Sequence, residues 1–426
     1  MRRELYSELR TIYETTAAKP NTFRQTIKLG DLVDGQILRK AVDRTMERYP
    51  YFRVRLVMEG DVPVFEDNPS PVPVIHTNHQ TVLGSEQTSG HLLCFCYWKN
   101  RLHIDAYHGL TDGGGIAPLL KTLLYYYCSD FYEVKLSHAD IRLSDDVVSQ
   151  AEWDDPAVKP VDQRKRGLIK KWDFPAFQLA DAGIANVTAE GIVLNMRIPE
   201  RAFMEFNISN DGSPATIVSL LLARTIKALH PDAPLPVVIA MCVNQRRALR
   251  APMAHQSLVG DVRLPFTERM RKLPFHVQAT CFRGMVTLQS DDDIVLDDIR
   301  DYQSLMAQLK TMDSSSERKA YCAARMEEFS RCVTATVSYV GKANLGDAEQ
   351  FILENNVMPS TALPSAYTPL TIELSAIGGY FFLNFVQMFH EEDYFSMFVR
   401  QFRKNNIEYD VLNVTEARFP FVELPL

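Results

Sequence analysis

Asp105-Ala106-Tyr107-His108-Gly109-Leu110-Thr111-Asp112-Gly113-Gly114-Gly115 is the stretch that decides the fold. Before it, apolar residues at 102, 104 and 106 alternate with polar ones, which predicts a strand with two unlike faces. The glycines allow the backbone to turn sharply, and apolar residues from Ile116 to Tyr127 then recur at helical spacing. The pattern therefore places His108 at a junction between a strand and a helix.

That position favours an uncharged imidazole. A helix N-terminus carries partial positive charge, which disfavours the imidazolium ion and leaves neutral imidazole available as a base near pH 7. Asp112, four residues later, is expected to hold the loop by pairing with an arginine from elsewhere in the chain. Without its glycine and aspartate neighbours, His108 would be interpreted as an ordinary core histidine.

The run from His108 to Gly113 resembles the HHxxxDG signature of the chloramphenicol acetyltransferase-like superfamily. That superfamily includes nonribosomal peptide condensation domains, plant BAHD acyltransferases, polyketide-associated acyltransferases and alcohol acetyltransferases. The resemblance implies that His108 deprotonates the acceptor nucleophile and that Asp112 is structural and pairs with an arginine. Tyr107 replaces the first histidine. BAHD members keep only HxxxD, so the chemistry remains possible while a specific condensation-domain assignment is weakened.

A second element resembles the same superfamily. The apolar run from Val237 to Val243 predicts a strand covered on both faces, and Asn244-Gln245-Arg246-Arg247 follows it. This run is similar to the strand-terminal N-x-R element whose arginine pairs with the aspartate of the histidine motif. Arg246 is the first choice as the partner of Asp112, and Arg247 is the second. Exposed arginines at a strand end are the alternative interpretation.

A third resemblance lies near the end of the chain. Val337-Ser338-Tyr339-Val340-Gly341 is similar to the VSNxG segment of alcohol acetyltransferases and polyketide-associated acyltransferases, with Tyr339 in place of the asparagine. A serine hydroxyl near the reacting carbonyl can donate a hydrogen bond to the developing oxyanion. Ser338 is therefore the third candidate catalytic residue after His108 and Asp112, and an ordinary strand serine is the alternative.

Composition limits the class of protein. A chain of 426 residues favours two domains of roughly 150 to 250 residues. A net charge of −7 argues against a general nucleic-acid-binding protein. Seven scattered cysteines without paired CxxC spacing, together with an N-terminus that has no signal peptide, predict a cytoplasmic protein. The apolar runs are too short for a membrane span.

The domain boundary is predicted where acidic residues give way to basic ones between Ser144 and Asp173, around Pro156 and Pro160. We expect an N-terminal lobe with the histidine motif over 1–150, a linker over 151–185 and a C-terminal lobe over 186–426. The resemblance implies an α/β fold of the α+β type. This implied fold has two similar lobes with mixed sheets and packed helices. The resemblance also implies a tunnel at the interface of the lobes, through which donor and acceptor reach His108.

The expected function is transfer of an acyl group from a thioester, acyl-CoA, to a hydroxyl acceptor, with no bound cofactor or metal. The acceptor would be a small alcohol or amine. One alternative is an amide-forming condensation enzyme with a donor on a carrier protein. Another is a catalytically silent binding module, suggested by Tyr107. A metal-dependent hydrolase could use His103, Asp105, His108 and Asp112, although these match no familiar ligand set.

Overall fold

We describe the protein from a computed structural model, which covers residues 2–16, 19–162, 167, 169–182, 190–359 and 369–425. The strands are β1 Arg2–Glu4, β2 Thr22–Leu29, β3 Val54–Glu59, β4 Val62–Asp67, β5 Val74–His76, β6 Leu93–Trp98, β7 Arg101–Tyr107, β8 Glu190–Pro199, β9 Val237–Asn244, β10 Val259–Phe266, β11 Ala335–Lys342, β12 Ile352–Pro359, β13 Leu370–Ile377, β14 Tyr380–Gln387 and β15 Asp410–Arg418. The helices are α1 Leu9–Glu14, α2 Gly35–Arg48, α3 Gly113–Phe131, α4 Gln150–Trp153, α5 Glu200–Ser209, α6 Pro214–Leu229, α7 Glu268–Arg271, α8 Phe275–Gln289, α9 Asp292–Lys310, α10 Ser315–Ser330 and α11 Asp393–Lys404.

The strands form two large mixed sheets and one small sheet. The first large sheet has the order β12-β2-β7-β6-β5, and the second has the order β10-β9-β11-β13-β14-β8-β15. The small sheet, β1-β4-β3, lies beside the first. The first large sheet and helices α2 and α3 make the N-terminal lobe, and the second large sheet with α6 and α11 makes the C-terminal lobe.

Local sequence signals account for the elements around the site. The aromatic and β-branched residues of Thr22–Leu29 favour the extended chain of β2. Asp34 caps α2, because its carboxylate accepts hydrogen bonds from the backbone N–H groups of Gln36 and Ile37 at 2.7 and 3.0 Å. Ser213 and Pro214 begin α6, with a reciprocal capping box between Ser213 and Thr216.

The second large sheet separates two environments. On β13, Ile372 and Leu374 pack into the core of the C-terminal lobe with helices α6 and α11. Side chains alternate between the faces of a strand, so Glu373 and Ser375 point to the opposite side. Phe382 of β14, which is paired with Ser375 of β13, belongs to the core of the N-terminal lobe. One face of this sheet is therefore directed at the N-terminal lobe.

The two halves of the chain exchange a strand. β12 lies between β11 and β13 in sequence, yet it pairs antiparallel with β2 in the N-terminal sheet. The C-terminal end of the chain also contacts the N-terminal lobe, since Glu423 donates its backbone N–H to the carbonyl of Leu83. No single cut point therefore separates the two sheets, although the domain ranges themselves stay a prediction. Part of the expected linker, with Arg164, Lys165 and Arg166, and the expected start of the second lobe at 186 lie outside the described residues.

Two further expectations concern the chain as a whole. The seven cysteines are free thiols, of which Cys94 and Cys96 are fully buried on β6 with their sulfur atoms 3.9 Å apart. Within the described ranges, no helix has both the length and the apolar character needed to cross a membrane.

Candidate active site

His108 follows the last residue of β7 and continues its pairing with the neighbouring segment. Its backbone N–H donates to the carbonyl of Asn21 at 2.7 Å, one residue before β2. Leu110 then donates its N–H to the carbonyl of Tyr107 at 2.9 Å and closes a tight turn that leads to α3. The predicted strand-to-helix junction is confirmed. The predicted polar face of β7 is covered like the apolar one, because Arg24 and Thr26 of β2 hydrogen-bond to Asp105 and His103.

The imidazole of His108 is half-buried against the ring of Phe23, with the ring centroids 4.9 Å apart. Burial lowers the pKa of His108, since desolvation penalises the imidazolium ion, and the nearby carboxylate of Asp112 opposes that effect. The nearby ammonium of Lys19 lowers the pKa further. The result is a neutral imidazole at physiological pH, which is the protonation state that a general base needs.

Asp112 caps α3 and binds the other lobe. One carboxylate oxygen accepts the N–H of Gly115 at 2.7 Å and the Nη2 of Arg246 at 2.7 Å. The other oxygen accepts the Nη1 of Arg246 at 3.1 Å and the N–H of Leu258 at 2.7 Å. Asp112 is fully buried and Arg246 is 6% exposed, so this bidentate ion pair lies in the interior of the protein.

Arg246 is held by backbone groups as well as by Asp112. Its Nε donates to the carbonyl of Ala254 at 2.9 Å, and its Nη2 donates to the carbonyl of Gln256 at 2.7 Å. Arg247 points outward instead and pairs with the exposed Asp292. The structure therefore makes Arg246, the first choice from the sequence, the partner of Asp112.

The glycines after Asp112 allow this close contact between the lobes. A Cβ atom at Gly114 would lie 2.8 Å from Nη1 of Arg246 and 3.4 Å from Nδ2 of Asn244. A Cβ atom at Gly115 would lie 2.1 Å from the carbonyl oxygen of His255. Any larger residue would push the first turn of α3 away from the C-terminal lobe.

Tyr107 points away from the side that His108 occupies. Its side chain is fully buried, and its hydroxyl lies 2.8 Å from Oγ1 of Thr15, just after α1. Thr15 in turn accepts a hydrogen bond from the amide of Asn21 at 3.0 Å. The residue at the first motif position therefore fixes the N-terminal segment onto the lobe.

Ser338 lies on β11, on the face of the C-terminal sheet that is directed at the N-terminal lobe. The strand register sets its side chain beside those of Glu373 on β13 and Cys242 on β9, and hydrogen bonding to its hydroxyl lowers the pKa of both groups against the larger effect of burial. Sequence reasoning did not single out Glu373 or Cys242. The available signal for Glu373 was a lone carboxylate within the apolar run of β13, from Leu370 to Leu374.

A cavity of about 500 Å³ opens between the lobes beside the first turn of α3. Gly113 and Gly114 line it on the α3 side, with Gln25 of β2 and Asn355 of β12. Its remaining wall includes the cationic side chains of Lys121, Arg142 and Lys342. A second cavity of about 400 Å³ lies at the end of α6, around residues 229–235, and shares no lining residue with the first.

The residues considered for a metal site do not converge. Asp105 pairs with Arg24, Asp112 pairs with Arg246, and Nδ1 of His103 bonds to Thr26. Among the described residues, no group of three or more His, Cys, Asp or Glu side chains has the arrangement of a metal site. The proposed ligand set of a hydrolase is therefore wrong, because three of its four members are bound to different partners.

Comparison with known proteins identifies the fold. No family model and no curated protein matches the chain. The first condensation domain of the CDA synthetase is 12% identical, with 94% of this chain and 95% of that one covered, and a TM-score of 0.62. F. graminearum TRI101, complexed with coenzyme A and deoxynivalenol, is 12% identical over 96% and 99% of the two chains, with a TM-score of 0.61. Polyketide synthase associated protein 5 from Mycobacterium tuberculosis is 13% identical over 93% and 95%, with a TM-score of 0.58.

These proteins share the two-lobed chloramphenicol acetyltransferase-like fold, and this chain has the same fold over nearly its whole length. The expected fold class, two α/β lobes with mixed sheets and packed helices, is confirmed. At 10 to 13% identity the likeness extends to the fold and not to a particular substrate or reaction.

Proposed function

We propose that the protein is an acyltransferase that moves an acyl group from a coenzyme A thioester to the hydroxyl group of a small acceptor. His108 is the general base of this reaction. The observation that carries the proposal is a half-buried imidazole, its pKa lowered by burial, at the end of β7 and beside a helix terminus that the Asp112–Arg246 pair fixes between the lobes. That arrangement fixes the backbone around the base, and the residue is not fully buried.

In the proposed reaction, His108 accepts one proton from the acceptor and later gives it to the leaving group. His108 takes the proton of the acceptor hydroxyl as the oxygen attacks the thioester carbonyl, and a tetrahedral intermediate forms. The intermediate collapses when the carbon–sulfur bond breaks, and the leaving thiolate takes the proton from the His108 imidazolium. The products are an ester and free coenzyme A, and the base is restored without any metal or bound cofactor.

Ser338 is the proposed donor to the oxyanion of the tetrahedral intermediate. It lies on the C-terminal wall between the lobes, in the same sheet as Asn244, which contacts the first turn of α3. A donor of this kind contributes about 3 to 4 kcal/mol to the transition state of acyl transfer. Asp112, Arg246, Gly113 and Tyr107 support the site without taking part in proton transfer.

The cavity beside α3 is the proposed route of the thioester. Lys121, Arg142 and Lys342 line it together with one carboxylate, Asp140, and cationic groups of this kind suit the phosphate groups of an acyl-CoA. Arg142 and Lys342 are also paired with Glu152 and Glu200, so an incoming phosphate would compete with these carboxylates. F. graminearum TRI101, which has the same fold, was obtained in complex with coenzyme A. The cavity touches the motif at Gly113 and Gly114, so a donor bound there would reach the start of α3.

The test is release of free coenzyme A from acetyl coenzyme A in the presence of a panel of alcohols and amines. His108→Ala should reduce turnover by about 10² to 10⁴, because a positioned general base contributes that factor. His79→Ala is the matched control, since His79 is an exposed histidine of the same lobe, and its turnover should equal that of the wild type. Equal turnover in wild type and His108→Ala would remove the assignment of the base.

A second candidate is amide formation with a donor on a carrier protein, and the condensation-domain structure of the same fold favours it. The two candidates share the base and differ in the donor. Transfer from an acyl phosphopantetheinyl carrier, together with no transfer from acetyl coenzyme A, would establish the second candidate and exclude the first. A folded protein that is inactive with both donors would instead be a binding module of this fold.

A further inference from the structure

Cys242, Ser338 and Glu373 form a continuous row across three neighbouring strands. β9, β11 and β13 run parallel, and Ser338 is paired with Glu373 in the register of β11 and β13. Met241 is paired with Val337, which sets Cys242 beside Ser338. Side chains at paired positions of neighbouring strands point to the same face of a sheet, so the thiol, the hydroxyl and the carboxyl are neighbours.

This row faces the space between the lobes. Ser375, two residues after Glu373 on the same face of β13, donates its hydroxyl proton to the carbonyl oxygen of Asn355 on β12 of the N-terminal sheet. Asn244, two residues after Cys242 on β9, lies against Gly114 of α3. The row therefore lies two residues along β9 and β13 from direct contacts between the lobes. It belongs to the C-terminal lobe, whereas the His108 motif belongs to the N-terminal lobe.

Glu373 is 7% exposed, and the register of β11 and β13 sets the Ser338 side chain directly beside its carboxyl. Burial raises the pKa of Glu373 to about 8, and the Ser338 hydroxyl only partly opposes this rise. The carboxyl is therefore mostly protonated at neutral pH. A buried carboxyl in this state is a hydrogen-bond donor as well as an acceptor.

The titratable groups on the elements packed around Glu373 act outside the same pH range or are paired. Burial raises the pKa of Cys242 on β9 to about 12, and Asp261 on β10 lies across from that thiol and not from Glu373. Glu354 on β12 pairs with Lys28. From the N-terminal lobe, burial lowers the pKa of His108, so its titration lies on the acid side.

The protonation state of Glu373 determines which way the single proton of Ser338 can point. A neutral carboxylic acid donates to the oxygen of Ser338, and this leaves the Ser338 hydroxyl proton free for another acceptor. A carboxylate can only accept, so it binds the Ser338 hydroxyl proton itself. Charge-assisted bonds of that kind are about twice as strong as neutral ones, so the ionised carboxylate would hold the hydroxyl.

We propose that Glu373 is a positioning residue for acyl transfer. In its neutral form it directs the hydroxyl proton of Ser338 toward the oxyanion of the reacting thioester, and on losing its own proton it turns that hydroxyl away. The inference rests on the proposed function and adds a second titrating group to the site, on the lobe opposite His108.

The test is the pH profile of kcat/KM for acetyl coenzyme A with the best neutral alcohol of the acceptor panel, after subtraction of the uncatalysed rate. In the wild type, kcat/KM should fall above pH 8 by about tenfold per pH unit, because only the protonated fraction of Glu373 supports the reaction. Glu373→Gln should lose a few-fold at pH 7, since an amide is a weaker donor than a carboxylic acid, and it should keep that rate at pH 9.

Two further variants complete the test. Ser338→Ala should also lack the alkaline fall, because no hydroxyl remains for Glu373 to direct, and its rate at pH 7 should be lower than that of the wild type. Asp261→Asn is the control and should keep the full wild-type profile, since Asp261 lies beyond Cys242 from Glu373.

The outcomes separate this inference from the proposed function. An active wild type without an alkaline fall, or a fall that persists in Glu373→Gln or in Ser338→Ala, would overturn the role of Glu373 and leave the acyltransferase proposal in place. A wild type that turns over no acyl thioester would remove both.

Discussion

Removal of the Asp112 carboxylate should destabilise the protein more than most single substitutions. Asp112→Ala deletes four hydrogen bonds: two from Arg246, one from the N–H of Gly115 and one from the N–H of Leu258. Breaking a buried ion pair costs about 3 to 5 kcal/mol, because one charge stays buried without its partner. Loss of the cap of α3 alone would account for only about 1 kcal/mol.

The expected loss lies within that range and not above it, because Arg246 keeps the carbonyl oxygens of Ala254 and Gln256 as acceptors. For a lobe of this size, each kcal/mol shifts the melting temperature by about 2 to 4 °C. Asp112→Ala should therefore melt at least about 6 °C below the wild type in a circular dichroism scan. Arg247→Ala is the matched control, and its exposed pair with Asp292 should contribute less than about 1 kcal/mol.

A double substitution separates the stranded charge from the lost cap. Asp112→Ala combined with Arg246→Met removes the unpaired guanidinium, so the double variant should be more stable than the sum of the two single losses predicts. A melting temperature of Asp112→Ala equal to that of the wild type would refute the structural role of this pair. Strict additivity in the double variant would refute the explanation by an unpaired buried charge.

Three further predictions concern neighbouring parts of the site. Gly114→Ala should lower the free energy of unfolding by about 1 to 3 kcal/mol in urea denaturation, because the new Cβ would lie 2.8 Å from Nη1 of Arg246. An unchanged urea midpoint would contradict the close approach of the lobes. Turnover should fall on the acid side with a midpoint below pH 6.5, because burial lowers the pKa of His108 and the base is lost as it becomes protonated. An acid midpoint above pH 6.5 in the wild type that disappears in His108→Ala would contradict this. Tyr107→Phe should lower the unfolding free energy by about 1 kcal/mol through loss of the bond to Thr15 and leave kcat within about twofold, and a large kcat loss without destabilisation would place Tyr107 in the reaction.

Sequence patterns were sufficient where the structure depends on neighbours in the chain. The strand β2 and the helix α6 follow from alternation, caps and helical spacing, which are local signals. The strands β12 and β15 were not predicted, because their stability comes from distant partners: β12 pairs with β2, and β15 pairs with β8. Such strands alternate poorly in sequence, since their environment is set by the tertiary structure.

The site shows the same division. The position of His108 between a strand and a helix could be predicted from its own neighbourhood, whereas the preference for Arg246 over Arg247 came from the resemblance to the N-x-R element and not from local patterning. Both arginines follow one strand, and only the fold turns the first toward Asp112 and the second toward Asp292. Glu373 escaped notice because its environment is created by β9 and β11, which are distant in sequence.

The replacement of the first motif histidine by Tyr107 is compatible with the proposed role of His108, because the two side chains contact different parts of the N-terminal lobe. Successive side chains of a strand point to opposite faces, so Tyr107 and His108 lie on different sides of β7. The hydroxyl of Tyr107 bonds to Thr15 within the N-terminal lobe, whereas the ring of His108 lies against Phe23 of β2. A change at the first position therefore alters how the N-terminal segment is anchored, and it leaves the contact between His108, the proposed base, and Phe23 in place.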